Sequence, residues 1–195
     1  MTKGDRKMKK WYIIPALLAL AAIIVFSLFR SHYNRLVYLN QQAEESWAQV
    51  DNVLQRRNDL IPNLVETVKG YAKHEKEVFV EITEARSRWA GAKTLQEKEG
   101  AANDISGALG KLMLVVENYP QLKANENFLS LQDELAGTEN RISVERKRYN
   151  GSVREYNTAA QSFPTMIFAR IFGFEKEKDY FQAQEESRTV PQVTF

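Results

Sequence analysis

The sequence predicts an all-α protein in which an N-terminal transmembrane helix precedes an antiparallel four-helix bundle with long helices. Three observations predict this fold. Residues 11–29 are uncharged and almost continuously apolar, later apolar residues recur at spacings of three and four, and no alternating strand pattern of useful length occurs. A chain of 195 residues has room for one such domain and a membrane segment.

Residues 1–10 form a basic tail, and residues 11–29 have the composition of a transmembrane helix. At about 1.5 Å per residue this segment extends about 30 Å, which matches the hydrocarbon core of a bilayer. Trp11 and Tyr12 open it, as aromatic residues do at a membrane interface. A cleaved signal peptide is the alternative, but the apolar stretch is longer than usual and its small-residue motif, Ala19-Leu20-Ala21, lies in the middle. We therefore predict a single-pass anchor.

The distribution of charge predicts the orientation of the anchor and excludes one class of partner. Lysine and arginine are concentrated before the apolar segment, so the positive-inside rule places the N-terminus in the cytoplasm and the bundle outside. The expected location is therefore a cell membrane, with the bundle on the side away from the cytoplasm. From residue 31 onward acidic side chains outnumber basic ones, so the domain lacks the positive surface of a nucleic-acid-binding protein.

Residues 31–163 form the predicted bundle. The four predicted helices run from Leu36 to Ile61, from Leu64 to Trp89, from Ala101 to Tyr119 and from Phe128 to Phe163. The first is expected to continue straight from the anchor and to turn back at Pro62, because proline disrupts a helix interior. The helical pattern lapses between residues 91 and 100, which predicts a turn there. These spacings indicate up-down-up-down order with short connections.

Residues 164–195 comprise an apolar segment and a charged tail. In the predicted order the fourth helix returns towards the membrane, so the segment 164–174 either caps the open end of the bundle core or lies in the membrane interface as a short amphipathic helix. The candidate interface residues are Met166, Ile167, Phe168, Arg170, Ile171, Phe172 and Phe174.

A polar cluster lies near the predicted turn between the first two helices. Its members are Arg56, Arg57, Asp59, Asn63, Glu66 and His74. Arg57 continues the apolar stripe of the first helix and should point partly inward. Folding the chain at Pro62 would place it opposite Glu66, where a partly buried ion pair would fix the register of the hairpin. The alternative is a binding surface for a protein partner, since arginine is frequent at such surfaces.

Several motifs give the chain a family resemblance. They are Tyr33-Asn34, Ser46–Asp51, Leu54–Glu75, Glu84-Ala85-Arg86, Asn118–Lys123, Asn127-Phe128, Arg148-Tyr149-Asn150 and Phe172-Gly173-Phe174. Over about residues 33–181 the chain resembles the LemA family of bacterial membrane proteins. The resemblance implies an N-terminal membrane segment followed by a mostly helical bundle. It implies no settled catalytic activity and supplies no active-site residues.

Residue types limit the chemistry that the chain can perform. Cysteine is absent, which excludes disulfides and thiolate ligands, and the only histidines are His32 and His74. We predict no catalytic residues, no cofactor and no metal site. The expected function is a non-enzymatic scaffold that contacts an unidentified protein partner, with homo-oligomers possible. The alternative is a membrane-associated, hydrolase-like enzyme, which would need His74 and converging carboxylates in one pocket.

Overall fold

The computed structural model describes the backbone of residues 5–182 and the side chains of residues 13–182, and the chain divides into two compact units. The anchor unit comprises Met1–Glu44 and Ser152–Lys178, and the bundle unit comprises Glu45–Gly151 and Asp179–Phe195. The helices are α1 (Asp5–Lys69), α2 (Lys76–Gly91), α3 (Leu95–Val116), α4 (Pro120–Lys123), α5 (Glu126–Gln161) and α6 (Thr165–Ile171). Within the described residues there is no strand, and the all-α prediction is confirmed. The side chains of the predicted basic tail, and residues 183–195 of the predicted C-terminal tail, lie outside the described residues.

The apolar segment forms part of α1, which continues from it into the bundle unit without a break. The described side chains of the segment point outward: Ile14 is 64% exposed and Phe26 is 70% exposed. A helix of this length and composition could cross a membrane. The predicted continuation of the anchor into the first bundle helix is therefore confirmed.

The predicted turn at Pro62 is wrong, because Pro62 lies inside α1. Proline costs a helix interior about 3 kcal/mol, since it lacks an N–H and crowds the preceding turn. Around it Ile61, Leu64 and Val68 are fully buried, and each such side chain contributes about 1.5–3 kcal/mol. Burial of this apolar stripe outweighs the local preference of proline, and the chain turns only after Lys69, at residues 70–75.

Four helices of the bundle unit alternate in direction, as the sequence predicts. The residue pairs that show this are Asn58–Arg86 and Lys69–Phe79 for α1 with α2, Glu81–Lys111 and Arg88–Asp104 for α2 with α3, and Trp47–Tyr149 and Arg57–Glu139 for α1 with α5. In each set one residue number rises as the other falls, so neighbouring helices are antiparallel. The bundle unit is thus an up-down-up-down four-helix bundle.

The turn between α2 and α3 falls inside the predicted region but is shorter, because α3 begins with a capping box. Thr94 Oγ1 accepts a hydrogen bond from the Glu97 N–H at 3.2 Å. The Glu97 carboxylate in turn accepts from the N–H groups of Lys93 at 2.7 Å and Thr94 at 3.1 Å. These hydrogen bonds from backbone N–H groups favour the carboxylate and lower the pKa of Glu97.

The anchor unit has a small core of its own. Its buried members are Leu36, Leu39, Tyr156, Ala159, Ala160 and Ala169. Tyr156 is the largest of them, and its hydroxyl donates a hydrogen bond to the carbonyl oxygen of Glu175 at 2.8 Å. Burial raises the pKa of Tyr156, and the negative charge of Glu175 acts in the same direction.

We predict that Tyr156 makes the stability of the protein fall at alkaline pH. Because the folded state holds the pKa of Tyr156 above its unfolded value of about 10, its stabilisation is complete below that pH and is lost as the pH rises through the folded pKa. Tyr156→Phe should cost about 1 kcal/mol at pH 7 through the lost hydrogen bond, and its stability should fall less steeply in alkali. Thermal unfolding of the full chain in detergent, followed by circular dichroism between pH 7 and about pH 11, measures both effects.

The matched control is Tyr38→Phe, since Tyr38 is 66% exposed and lies in the same unit. This variant should keep the wild-type pH profile. Parallel profiles for wild type and Tyr156→Phe would contradict the prediction.

Candidate functional site

Arg57 is a buried cation on α1 that contacts two other helices of the bundle unit, α3 and α5. Its side chain is 5% exposed. One terminal nitrogen pairs with the Glu139 carboxylate of α5 at 2.7 Å, and the other donates to Ala102 O at 3.2 Å and Ser106 Oγ at 2.7 Å, both on α3. Burial lowers the pKa of Arg57, while the Glu139 charge acts in the opposite direction.

The inward orientation predicted for Arg57 is confirmed, but its predicted partner is wrong. Because α1 continues past Pro62, Arg57 and Glu66 lie on the same helix, about 13 Å apart along its axis. Glu66 pairs instead with Lys69 at 2.8 Å. Arg57 therefore joins α1 to α3 and α5 and does not pin a hairpin between the first two helices.

The other members of the predicted polar cluster do not form one site. The Arg56 side chain is exposed, whereas that of Arg57 is buried, and Arg56 lines a groove beside α5. Asp59 is exposed and accepts a hydrogen bond from Gln55 at 2.8 Å. Asn63 is exposed on α1, and His74 is exposed in the turn that follows it. Only Arg56 and Arg57 contribute to features that other helices complete.

An open groove of about 590 Å³ runs along α5 in the bundle unit, and we call it the α5 groove. Its lining residues are Arg56, Glu126, Leu129, Ser130, Asp133, Glu134, Gly137, Thr138 and Arg141. Charges of both signs line it, and Leu129, which is 45% exposed, supplies an apolar surface. Of these residues, sequence analysis proposed only Arg56 as a site residue. The others lie on α5, which meets α1 only in the folded bundle.

Asn58, next to Arg57, is also a buried polar side chain, and sequence analysis did not predict its burial. It is 7% exposed, and its Oδ1 accepts a hydrogen bond from Arg86 Nε at 3.2 Å, which joins α1 to α2. The signal for this contact was the family motif Glu84-Ala85-Arg86, which places an arginine on the inner part of α2. Asn58 and Arg57 together place two adjacent polar residues in an otherwise mostly apolar interior.

Lys98 is a cation held between two indole rings near the start of α3. Its Nζ lies 5.8 Å from the Trp47 ring centroid and 5.4 Å from that of Trp89, and it pairs with Asp51. Cation–π contacts of this kind contribute about 0.5–2 kcal/mol each. No pattern in the sequence indicated this arrangement, because its members come from three different helices.

The structure divides the predicted interface residues between the two faces of α6. Phe168 faces inward, with its ring centroid 4.6 Å from that of Phe29 on α1. Phe172, just after the helix, also contacts Phe29, at 5.6 Å, but is 43% exposed. The other exposed members are Met166, Ile167, Arg170 and Ile171. Phe174 follows α6 and is half-buried against the core of the anchor unit. The inward face packs against the core of the anchor unit, as the capping alternative expects, and contact of the exposed face with the membrane interface stays a prediction.

Metal binding finds no support in the described part of the chain. Among residues 13–182, the histidine, aspartate and glutamate side chains form no group of three that could hold a metal ion.

We predict that Arg57→Ala destabilises the bundle unit by about 2–4 kcal/mol, because it removes a buried stem and three hydrogen bonds. Arg57→Met should cost less, since it keeps most of the buried stem. Urea unfolding of the full chain in detergent measures both variants. Unchanged stability in Arg57→Ala would show that the guanidinium does not hold the helices, and equal losses in both variants would show that the stem is unimportant.

The chain is similar to known proteins over most of its length. Residues 46–195 match the profile of the LemA family. Magnetosome protein MamQ of Magnetospirillum gryphiswaldense is 27% identical, over 91% of this chain and 75% of its own length. Magnetosome protein MamQ 2 of Paramagnetospirillum magneticum is also 27% identical, over 91% and 74%. Protein LemA of Metamycoplasma hominis is 24% identical, over 83% and 70%. Because the family profile covers well over half of the residues, the chain belongs to the LemA family.

Proposed function

We propose that this protein is a membrane-anchored helical scaffold that holds a protein partner in the α5 groove and performs no catalytic step. The observation that carries the proposal is the α5 groove, which is open and has a volume of about 590 Å³. It lies on the outside of a bundle whose interior consists of packed, mostly apolar side chains. The apolar N-terminal part of α1 supplies the anchor.

The chemistry of the α5 groove favours a protein segment as its occupant. Arg56 and Arg141 supply positive charge, while Asp133 and Glu134 supply negative charge. Charges of both signs select a partner with the complementary order of charges and disfavour others. The exposed part of Leu129 adds the apolar contact that central positions of interfaces use. A partner helix or extended segment that carries both acidic and basic side chains fits this surface.

The alternative of a hydrolase-like enzyme receives little support. That function would need His74 in a pocket with converging carboxylates. His74 is exposed in the turn between α1 and α2, and within the described residues no ion pair or hydrogen bond joins it to a carboxylate. The names of the related proteins indicate no catalysis.

A photo-crosslinking amino acid at Ser130 tests the proposed partner site in living cells. Ser130 is exposed and lines the α5 groove, so irradiation should join the protein to one partner and give one discrete heavier species. Adding the charge reversals Asp133→Arg and Glu134→Arg should reduce this product several-fold, because they oppose the charge order of the groove. Gel mobility and mass spectrometry identify the product, and a species of twice the protomer mass would indicate a homo-oligomer.

The matched control carries the same crosslinker at Glu84, an exposed position on α2 that does not line the α5 groove. It should give little of the discrete product. Equal products from both positions, or no product from Ser130, would show that the groove is not the partner site.

We also propose that the protein is in the inner membrane of a bacterial cell with the bundle unit outside the cytoplasm. The supporting observation is the concentration of lysine and arginine before the apolar segment. Since the chain has no cysteine, Glu84→Cys, at an exposed position outside the α5 groove, carries the only thiol, and a membrane-impermeant maleimide should label it in intact cells. Labelling that appears only after lysis would place the bundle unit in the cytoplasm instead.

A further inference from the structure

We propose that a cleft between α6 and the end of α5 binds the head group of an anionic phospholipid while the exposed face of α6 lies in the membrane interface. We call this feature the α6 cleft, and all its residues belong to the anchor unit. The inference rests on the membrane anchorage of the proposed function and goes beyond it by naming a lipid ligand.

The first step is the depth of α6 along the anchor helix. Phe29 is the last residue of the uncharged segment, and Arg30 follows it. Phe168 and Phe172 contact Phe29 directly, and the His32 ring stacks on Phe168 with centroids 5.2 Å apart. These contacts span about one helical turn of α1, or about 5 Å, which is comparable to the thickness of the polar zone at one face of a bilayer.

The second step is the exposed face of α6. Met166, Ile167 and Ile171 are 45%, 46% and 61% exposed, and Phe163 just before the helix is 80% exposed. Thr165 and Ala169 on the opposite face are buried. The helix thus presents one covered face and one uncovered apolar face. At the level where α1 leaves its apolar segment, the acyl chains and head groups of lipids would cover such a face.

The third step is the shape and charge of the α6 cleft, which has a volume of about 450 Å³. Ala160 and Ala169 are buried at its base, and Met166 and Phe174 give it apolar walls. The volume lies within the range of about 300–1,000 Å³ that is common for small-molecule sites. A cleft of this kind can hold a compact polar group together with the adjoining glycerol backbone.

The cations of the cleft are available for an anion. Arg170 and Lys176 both line the cleft and are exposed. Within the described residues neither side chain makes an ion pair or a hydrogen bond. The nearby acid Glu175 already pairs with Lys178 at 3.1 Å. A guanidinium and an ammonium at one opening are suited to a phosphate, which accepts charge-assisted hydrogen bonds from both.

The combination favours a lipid over free phosphate. Free phosphate would gain nothing from the apolar walls formed by Met166 and Phe174. A phospholipid places its phosphate against Arg170 and Lys176 while its acyl chains extend along the exposed face of α6. Basic residues near a membrane surface attract anionic lipids. We therefore commit to an anionic phospholipid as the ligand.

Fluorescence quenching in vesicles tests the proposal on the full chain. Because there is no native cysteine, the single-thiol variants Ile167→Cys, Leu20→Cys and Tyr38→Cys can each carry one fluorophore, on α6, in the apolar segment and further along α1. The vesicles are phosphatidylcholine with one quarter phosphatidylglycerol, and a trace of either lipid carries a spin label near the head group. A parallel set carries the spin label deep in the acyl chain, where it can reach position 20. We expect quenching at position 167 severalfold stronger than at position 38, and stronger by spin-labelled phosphatidylglycerol than by spin-labelled phosphatidylcholine.

A charge variant and its control separate the cleft from general attraction to the surface. Arg170→Gln combined with Lys176→Gln should abolish the preference for phosphatidylglycerol at position 167. Lys73→Gln combined with Lys147→Gln removes the same charge at exposed positions of the bundle unit and should leave the preference intact. Circular dichroism confirms that both double variants keep their helical content.

The remaining outcomes overturn the proposal in distinguishable ways. Quenching at position 20 without quenching at position 167 would retain the anchor and show that α6 does not contact lipid, for instance because a second copy covers it. Quenching at position 167 without lipid preference, or a preference that inorganic phosphate abolishes by displacement, would show that the cleft is not a phospholipid site. Absence of quenching at both positions would contradict membrane anchorage itself.

Discussion

The guanidinium of Arg57 fixes the axial position of three helices in the bundle unit. Apolar packing in the interior is non-directional and allows helices to slide by a turn, whereas the five N–H donors of arginine have a rigid geometry. Bonds to Glu139, Ala102 and Ser106 are satisfied together only in one register of α1, α3 and α5. The same register places the preceding residue, Arg56, against α5. The charge that α1 contributes to the α5 groove therefore depends on the register that Arg57 sets.

In the anchor unit, α6 has seven residues and is too short to be stable alone. Aromatic contacts with Phe29 and Tyr33 hold it against α1. After Ile171 the chain reverses through Gly173, whose φ of +70° is unfavourable for other residues, and the Phe174 N–H bonds to Ala169 O at 3.0 Å. This helix end returns Phe174 to the core, where it also forms a wall of the α6 cleft.

Periodicity predicted the helices well because long amphipathic stripes depend on many residues, and single exceptions hardly change them. It failed where one residue appeared decisive, as at Pro62, because buried neighbours outweigh the backbone preference of proline. The inward position of Arg57 followed from its place in the stripe, but its partner Glu139 lies 82 residues away and has no local signal. The α5 groove and the α6 cleft depend on such distant pairings, so only fragments of them could be predicted.

The position of Lys98 between Trp47 and Trp89 gives the bundle unit an intrinsic optical reporter. A charged ammonium beside an indole alters its excited-state energy, and both rings reach this cation only when α1, α2 and α3 are assembled. The chain has one other tryptophan, Trp11, at the start of the apolar segment. Emission from Trp47 and Trp89 therefore reports the assembly of the bundle unit without an added label.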